Sequence, residues 1–415
     1  MKYDKRLKSH HDAYNSVKER FRQNVDKREY VENILNHEGR AKRALYVHVP
    51  FCTKICTFCP FNKVNVLKRN GYDDYLIGEI DRISGYKYMK GPIDTVYFGG
   101  GTPTALEPKQ MARVLRKIQD SFDIRENAEI SVETSITELS DEMTEVLISG
   151  GVNRLSVGIQ TFDDYGRKVL GRRGGGDAAA DRLMKTKAAG ITNLNIDLIY
   201  NWPGETPDIL REDIARIKQL GLAGLSYYSL MLHEKTPLYY SVTEQDKARM
   251  GQTAWDKEQF DMIMSGLAGV GYKPFELTKM IRDGLDRYDY VGVRHSGGDC
   301  IAIGHGAGGN LSGYHYYNMF NAPLLGDDAP VSAMGVVESD TYMVIDRFIN
   351  ELQRMKVDLD EYGRLLGQDI YTDCRDILDR LACEGLIVMD GKTFSLTNDG
   401  MFWGNNIIDE LLRRM

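Results

Sequence analysis

The sequence predicts an α/β protein, an open partial (β/α)6 barrel followed by a C-terminal, mostly helical, winged-helix-like module. Two observations predict it. Short apolar runs alternate with amphipathic helical stretches from residue 44 to about residue 240, which is the pattern of parallel βαβ units. Beyond that point the alternation stops, and residues 336–415 read as helices followed by a hairpin.

The elements follow in order. Residues 1–43 are charged, with Ala13, Tyr14, Val17, Phe21 and Val25 spaced for one weak amphipathic face, so an N-terminal helical extension is expected. Strands are expected at 44–49, 95–98, 129–133, 154–159, 193–199 and 224–230. Helices are expected at 72–86, 108–121, 137–149, 178–189 and 207–220. This partial barrel spans 44–240, and a doubly wound sheet is the alternative that periodicity leaves open. In either fold, functional residues belong at the C-terminal ends of the strands. Residues 241–335 are expected to cover the substrate, and 336–415 to form the C-terminal module. A winged helix often binds DNA, but Asp373, Asp376, Asp379 and Glu384 make this one acidic, which favours packing or a lid.

Composition narrows the function classes. The 415 residues are 42% hydrophobic and 27% charged, ordinary for a soluble protein, and the formal net charge of −7 opposes a nucleic-acid partner. No run approaches the roughly 18 apolar residues of a membrane span. The start, Met1-Lys2-Tyr3-Asp4-Lys5-Arg6, leads into polar residues without the apolar stretch of a signal peptide, so a cytoplasmic protein is expected.

Six cysteines are too few for a disulfide scaffold. Cys300, Cys374 and Cys383 are scattered and read as small buried apolar residues. Cys52, Cys56 and Cys59 are another matter: CxxxCxxC puts three thiolates on one loop just after the first strand. Three thiolates suit a [4Fe–4S] cluster with one open iron, where S-adenosylmethionine (SAM) can chelate through its amino and carboxylate groups. Zinc with His48 as fourth ligand is the competing reading. Gly99-Gly100-Gly101-Thr102-Pro103 follows a strand, where exposed backbone can approach a ligand, and no P-loop lysine follows it. Glu133, Gln160, Arg172 and Asp197 fall at or just past strand ends, supplying acceptors for ribose hydroxyls and an ammonium and a donor for a carboxylate.

The segment Tyr46-Val47-His48-Val49-Pro50-Phe51-Cys52-x3-Cys56-x-Phe58-Cys59 resembles the radical SAM family of oxygen-independent coproporphyrinogen III dehydrogenase. The resemblance runs on through residues 97–104, 158–162, 195–200 and 396–405. It implies that Tyr46, Gly100 and Glu133 contact a SAM on the cluster. It also implies a second SAM near Phe58, Gly101, Thr102, Gln160, Arg172 and Asp197, hence two SAM molecules. The sequence departs from that enzyme where its fourth cysteine would stand: here it is Phe61, although Asn62-Lys63 remain. The related haem-chaperone group has a segment that 291–299 fits poorly.

Gly306-Ala307-Gly308-Gly309-x-Leu311-x-Gly313-Tyr314 with Asn318, and Leu170-Gly171-Arg172-Arg173, resemble the haem-utilisation (anaerobilin synthase) branch instead. That likeness implies a methyltransferase that opens haem without oxygen to a methylated linear tetrapyrrole, releasing iron. Gly308 joins the cofactor-binding set on the same ground. The implied partners are haem or another tetrapyrrole and a flavodoxin-like or ferredoxin-like electron donor. His295, His305 and His315, near the glycine-rich segment, are candidate haem contacts. Porphyrinogen oxidation, methylation of another acceptor and a haem-binding chaperone remain as alternatives.

Overall fold

A computed structural model describes residues 3–9, 25–39, 42–61, 64–318 and 334–415. Ala13, Tyr14, Val17, Phe21 and Asn62-Lys63 lie outside the described residues. Six parallel strands form the centre: β1 (Arg43–Val49), β2 (Ile93–Gly100), β3 (Ile124–Ser135), β4 (Arg154–Gln160), β5 (Asn193–Tyr200) and β6 (Gly224–Ser229). Their neighbours pair in sequence order, β1 through β6. The chain thus follows the expected α/β alternation.

The strands are apolar on both faces because both are covered. Along β1, Leu45, Val47 and Val49 pack with the helices in the main core, whereas Ala44 and Tyr46 pack inside the barrel with Tyr97, Tyr290 and Cys300. The helices are local consequences of sequence. Pro108–Ser121 starts with proline at its first turn and a Glu107–Gln110 capping box, and buries Met111, Val114, Leu115 and Ile118 on one stripe. Pro207–Leu220 is capped by Thr206 and stopped by Gly221 in the left-handed region. The helix expected at 137–149 starts only at Asp141, because the Ser140 side chain caps Met143 N and frees 137–139 for the site loop.

Residues beyond 240 do more than cover the barrel. The hairpin β7 (Tyr272–Glu276) and β8 (Lys279–Arg282) extends the sheet beside β6. β9 (Asp299–Ile303) adds a seventh parallel strand against β1, with Val47 opposite Ile303. β10 (Gly308–Leu311), β11 (Tyr314–Tyr317) and β12 (Met334–Val337) continue antiparallel, so that this sheet has twelve strands among the described residues. The short helix Asp289–His295 lies inside the barrel, its Tyr290 and Val293 packed on Ala44 and Tyr97. So residues 289–303, part of the segment 241–335 expected to cover the substrate, fill the interior and extend the sheet. The physical reason is their apolar content: Val293, Ile301 and Ile303 are buried.

The C-terminal module carries a three-stranded sheet of Lys356–Asp358, Ile387–Asp390 and Thr393–Leu396 among its helices. The N-terminal strap 3–9 ties it to the barrel. Arg6 donates to Tyr200 Oη at 2.9 Å, pairs with Asp256 at 3.2 Å and stacks 4.3 Å from the Phe402 ring centroid. Among the described residues no helix is long and apolar enough to cross a membrane.

Candidate functional site

The three cysteines sit on the loop leaving β1, at the C-terminal end of the strands, half-buried and in no disulfide. Backbone geometry builds the loop's seat. Gly101 N donates to Val49 O at 2.9 Å and Thr102 N to Phe51 O at 2.8 Å, so the glycine-rich turn lies directly against the start of the loop. A Cβ on Gly101 would stand 2.6 Å from Phe51 O, which is why glycine is required there. On the other side Thr57 N donates to Leu170 O at 3.4 Å and its hydroxyl to Val169 O at 2.7 Å. Glu138 accepts from Thr53 and Ser135, fastening the loop to the turn after β3.

The thiols already have donors. Arg172 Nη1 lies 3.3 Å from Cys56 Sγ, and Thr102 Oγ1 lies 3.7 Å from Cys52 Sγ. Hydrogen-bond donors thus stand at two of the three sulfurs, as they commonly do around metal-ligating sulfur. His48, the competing zinc ligand, has Nδ1 2.9 Å from Tyr46 Oη, and burial lowers it to about 4, so it is neutral. Among the described residues no three Cys, His, Asp or Glu side chains are grouped as a single metal ion would need them.

Around the loop the expected cofactor residues fall into two adjoining sets. In the first, Glu133 Oε2 accepts from Gly100 N at 3.3 Å and Oε1 from Tyr97 Oη at 2.7 Å. Gly99 is wedged between them, since its Cβ would stand 3.0 Å from the Tyr46 ring and 3.2 Å from Glu133 Oε2. Burial pushes Glu133 up to about 7, against the Tyr97 bond, with Asp197 adding to the rise. In the second set, Arg172 Nη2 donates to Gly158 O at 2.5 Å, and Gly158 is so close that a Cβ would meet Arg172 at 2.3 Å and Gln160 Nε2 at 3.0 Å. Gln160 ends β4 at φ +70°, beside a register shift, and this strain turns its side chain toward Arg172. Ser156 Oγ reaches Asp197 at 3.4 Å one strand over.

Among the described residues, two buried polar atoms here, Gln160 Oε1 and Arg172 Nε, have no hydrogen-bond partner. An acceptor and a cationic donor left open on two residues that both lie against Gly158 match a zwitterionic ligand such as an amino acid headgroup. The residues therefore fit both a thiolate-held cluster and SAM.

Residues 46–217 match the radical SAM superfamily model. The chain carries a radical SAM domain. With that domain go a [4Fe–4S] cluster and S-adenosylmethionine. The chain is 29% identical to anaerobilin synthase of Escherichia coli O157:H7 over 385 residues, covering 89% of this chain and 84% of the relative. It is 27% identical to heme chaperone HemW of Lactococcus lactis over 384 residues, 88% of this chain and 96% of the relative. The likeness in fold extends past the matched residues: the coproporphyrinogen III oxidase structure from Escherichia coli superposes with a TM-score of 0.79 at 22% identity, covering 94% of both chains.

Other expected residues fall elsewhere. Phe58 packs in a satellite core with Leu170, Ile199, Trp202 and Leu230. Gly308 is exposed at the start of β10, with only Tyr316 O near a hypothetical Cβ, at 3.9 Å. The three histidines are divided among three environments. His305 stacks on Tyr75 at 4.6 Å, His315 meets Tyr342 edge-on at 5.8 Å, and His295 lies 3.6 Å from Glu276. Only His305 is near the mouth, because Gly304 presses against His48 O and Tyr72 bridges His48 O and His305 N. Cys300 and Cys374 are buried as expected; Cys383 is exposed, on the outer side of its helix. Sequence reasoning missed Tyr97 and Glu138. Tyr97 had a signal, since it lies two residues before the glycine turn and shares the inward alternation of β2; Glu138 had none.

A cleft of about 830 Å3 opens at the other end of the barrel, lined among others by Lys42, Asp94, Arg125, Asp289 and Arg354. The cysteines leave β1 at its opposite end, so this cleft is not the radical site.

Proposed function

We propose that the protein is a radical SAM C-methyltransferase that opens the haem macrocycle without oxygen, yielding a methylated linear tetrapyrrole and releasing iron. The observation that carries this reading is similarity to anaerobilin synthase along 89% of the chain, joined to Phe61 where the coproporphyrinogen enzyme has its fourth cysteine. Cys52, Cys56 and Cys59 would hold the cluster. Tyr46, Gly100 and Glu133 would contact one SAM, and Gly101, Thr102, Gln160, Arg172 and Asp197 a second, with Phe58 backing that site and Gly308 the outlier of the set. Bound there, the reduced cluster and SAM supply a carbon-centred radical and a methyl group.

The chain's own residues do the rest. The Glu133 carboxyl, held by Gly100 N, would accept from an ammonium or hydroxyl beside the cysteine loop. Arg172 and Gln160 face a carboxylate and an amine with the open Nε and Oε1. The tyrosine-lined interior, with Tyr97 stacked 4.3 Å from Tyr290, excludes water from the inner side of the mouth. Haem would lie over the mouth, where His305 is the histidine within reach.

The test is anaerobic incubation of reconstituted protein with haem, SAM and a reductant, read by mass spectrometry. A methylated ring-opened product with deoxyadenosine is expected. Decarboxylated coproporphyrinogen from its own substrate would favour oxidation, and haem binding without product would favour a chaperone like its Lactococcus lactis relative.

A further inference from the structure

The half-buried Glu133 carboxyl beside the glycine turn has its two oxygens held unequally. Oε2 accepts from Gly100 N at a long 3.3 Å, whereas Oε1 accepts from Tyr97 Oη at 2.7 Å. Tyr97 is the stronger anchor, and its surroundings fix the direction of donation. Burial pushes the Tyr97 phenol far up, so it keeps its proton, and among the described residues Oη has no other hydrogen-bond partner. A buried hydroxyl with a single acceptor donates to it, and that bond favours the ionised carboxylate over the neutral acid.

The ring that carries this hydroxyl is itself held. Tyr97 is 5% exposed and stacks 4.3 Å from Tyr290 and 6.2 Å from Tyr46. Tyr290 comes from the short helix Asp289–His295 inside the barrel, so a distant part of the chain seats the donor. The other groups facing Glu133 do not replace its bond. Arg154 on β4 opposes the rise that burial causes, and Asp197 on β5 adds to it. Tyr46 on β1, Tyr228 on β6 and Tyr288 beside the helix are phenols that burial keeps protonated. The balance leaves Glu133 at about 7, where the loss of one donor changes its charge.

We propose that Tyr97 is a positioning residue for SAM: its hydroxyl holds Glu133 as a carboxylate, the form that accepts from an ammonium or a ribose hydroxyl. The proposal rests on the assignment of Glu133 to a SAM and deepens it by naming the residue that governs its charge. A protonated Glu133 would turn an O–H toward the ligand's own donors and lose an acceptor. Tyr97 therefore acts through Glu133 and touches no reacting atom. Its removal weakens SAM most where the carboxyl is half-ionised, and not at all where the solution alone keeps it ionised.

The experiment uses the full chain as wild type, Tyr97→Phe, Glu133→Gln and a form with ring-fluorinated tyrosine at position 97, which keeps the shape and donates more strongly. In cluster-free protein, the infrared carboxyl band that Glu133→Gln lacks is followed against pH. Its midpoint should rise by about one pH unit in Tyr97→Phe and fall in the fluorinated form. SAM binding to reconstituted protein is measured by equilibrium dialysis as the ratio of wild-type to variant affinity, in which titration of the ligand's own amine cancels. Tyr97→Phe should bind roughly fivefold more weakly near pH 7 and as tightly as wild type near pH 9. A midpoint unmoved in both Tyr97 forms, or a loss of affinity equal at every pH, would overturn the role of Tyr97. Glu133→Gln that binds SAM as tightly as wild type would instead sink the assignment of Glu133 to SAM, with the infrared midpoint still deciding whether Tyr97 governs its charge.

Discussion

The floor of the barrel and its mouth bury the same kinds of residue with opposite outcomes. At the floor, Arg154 meets Asp286 through Nε at 3.0 Å and Nη2 at 3.3 Å, Lys279 lies 3.5 Å from the same carboxylate, and both cations sit 4.1 Å from the Tyr288 ring centroid. Burial opposes the Asp286 charge, but Arg154 and Lys279 outweigh it and hold the carboxyl down at about 2. At the mouth, Arg172 has a carbonyl and a thiol and no carboxylate among the described residues, and its Nε is left open, as is Gln160 Oε1. The contrast teaches which buried charges serve the fold. The floor's cations are answered by the protein's own anion, whereas Arg172 at the mouth has none among the described residues.

The largest effect should come from the loop itself. Replacing Cys52, Cys56 or Cys59 by alanine should remove the iron and abolish deoxyadenosine formation, read by metal analysis and mass spectrometry; zinc in stoichiometric amount with no iron would break the reading. Next in size, Asp286→Ala leaves Arg154 only a 3.9 Å pair with Glu129, and Lys279 no ion pair, among the described residues, and should cost about 3–5 kcal/mol in denaturant unfolding. Arg172→Ala should change stability by less than about 1 kcal/mol, yet lose methyl transfer while some deoxyadenosine still forms. If Arg172→Ala unfolds as readily as Asp286→Ala, the distinction between mouth and floor fails.

A fourth prediction concerns pH. Glu205, fully buried after β5, accepts from Asn201 N and Gln259 Nε2, both at 2.5 Å, and burial pushes it up to about 8 against those bonds. The native state then holds a proton that the unfolded chain releases near pH 4.3, so stability declines as pH rises from about 4 to about 8 and is level above. Glu205→Gln should flatten that decline, with a gain on the order of 3 kcal/mol at pH 8.5 and little change at pH 4, measured as Tm against pH. The smallest effects belong to the histidines. In haem titrations His305→Ala should alter the spectrum modestly, and His295→Ala and His315→Ala not at all; equal effects from all three would bring the haem down to the β9–β11 edge.

The alternation of strand and helix was legible because a parallel strand covered on both faces must be apolar along its length, and six such runs carry that signature. The cysteine loop was legible for a different reason: ligand spacing on one short segment is a local property. β9 was not, since Cys300–Ile303 is a brief apolar run far from its partner β1, with nothing local to say that it pairs beside Tyr46. The Arg154–Asp286 pair spans 132 residues and was equally invisible.

What the sequence alone determined is therefore chemistry carried by neighbours along the chain: three thiols in one loop, a glycine turn that backbone can approach, and the βαβ rhythm that puts both at one end of the strands. Only the tertiary structure decided which polar residues meet. It brought Arg172 to Cys56 across 116 positions, set Glu133 against Gly100, and dispersed His295, His305 and His315 despite their closeness in sequence. The physical reason is that strand register, helix packing and one strained residue, Gln160, orient these side chains, and each depends on burial contributed by distant parts of the chain.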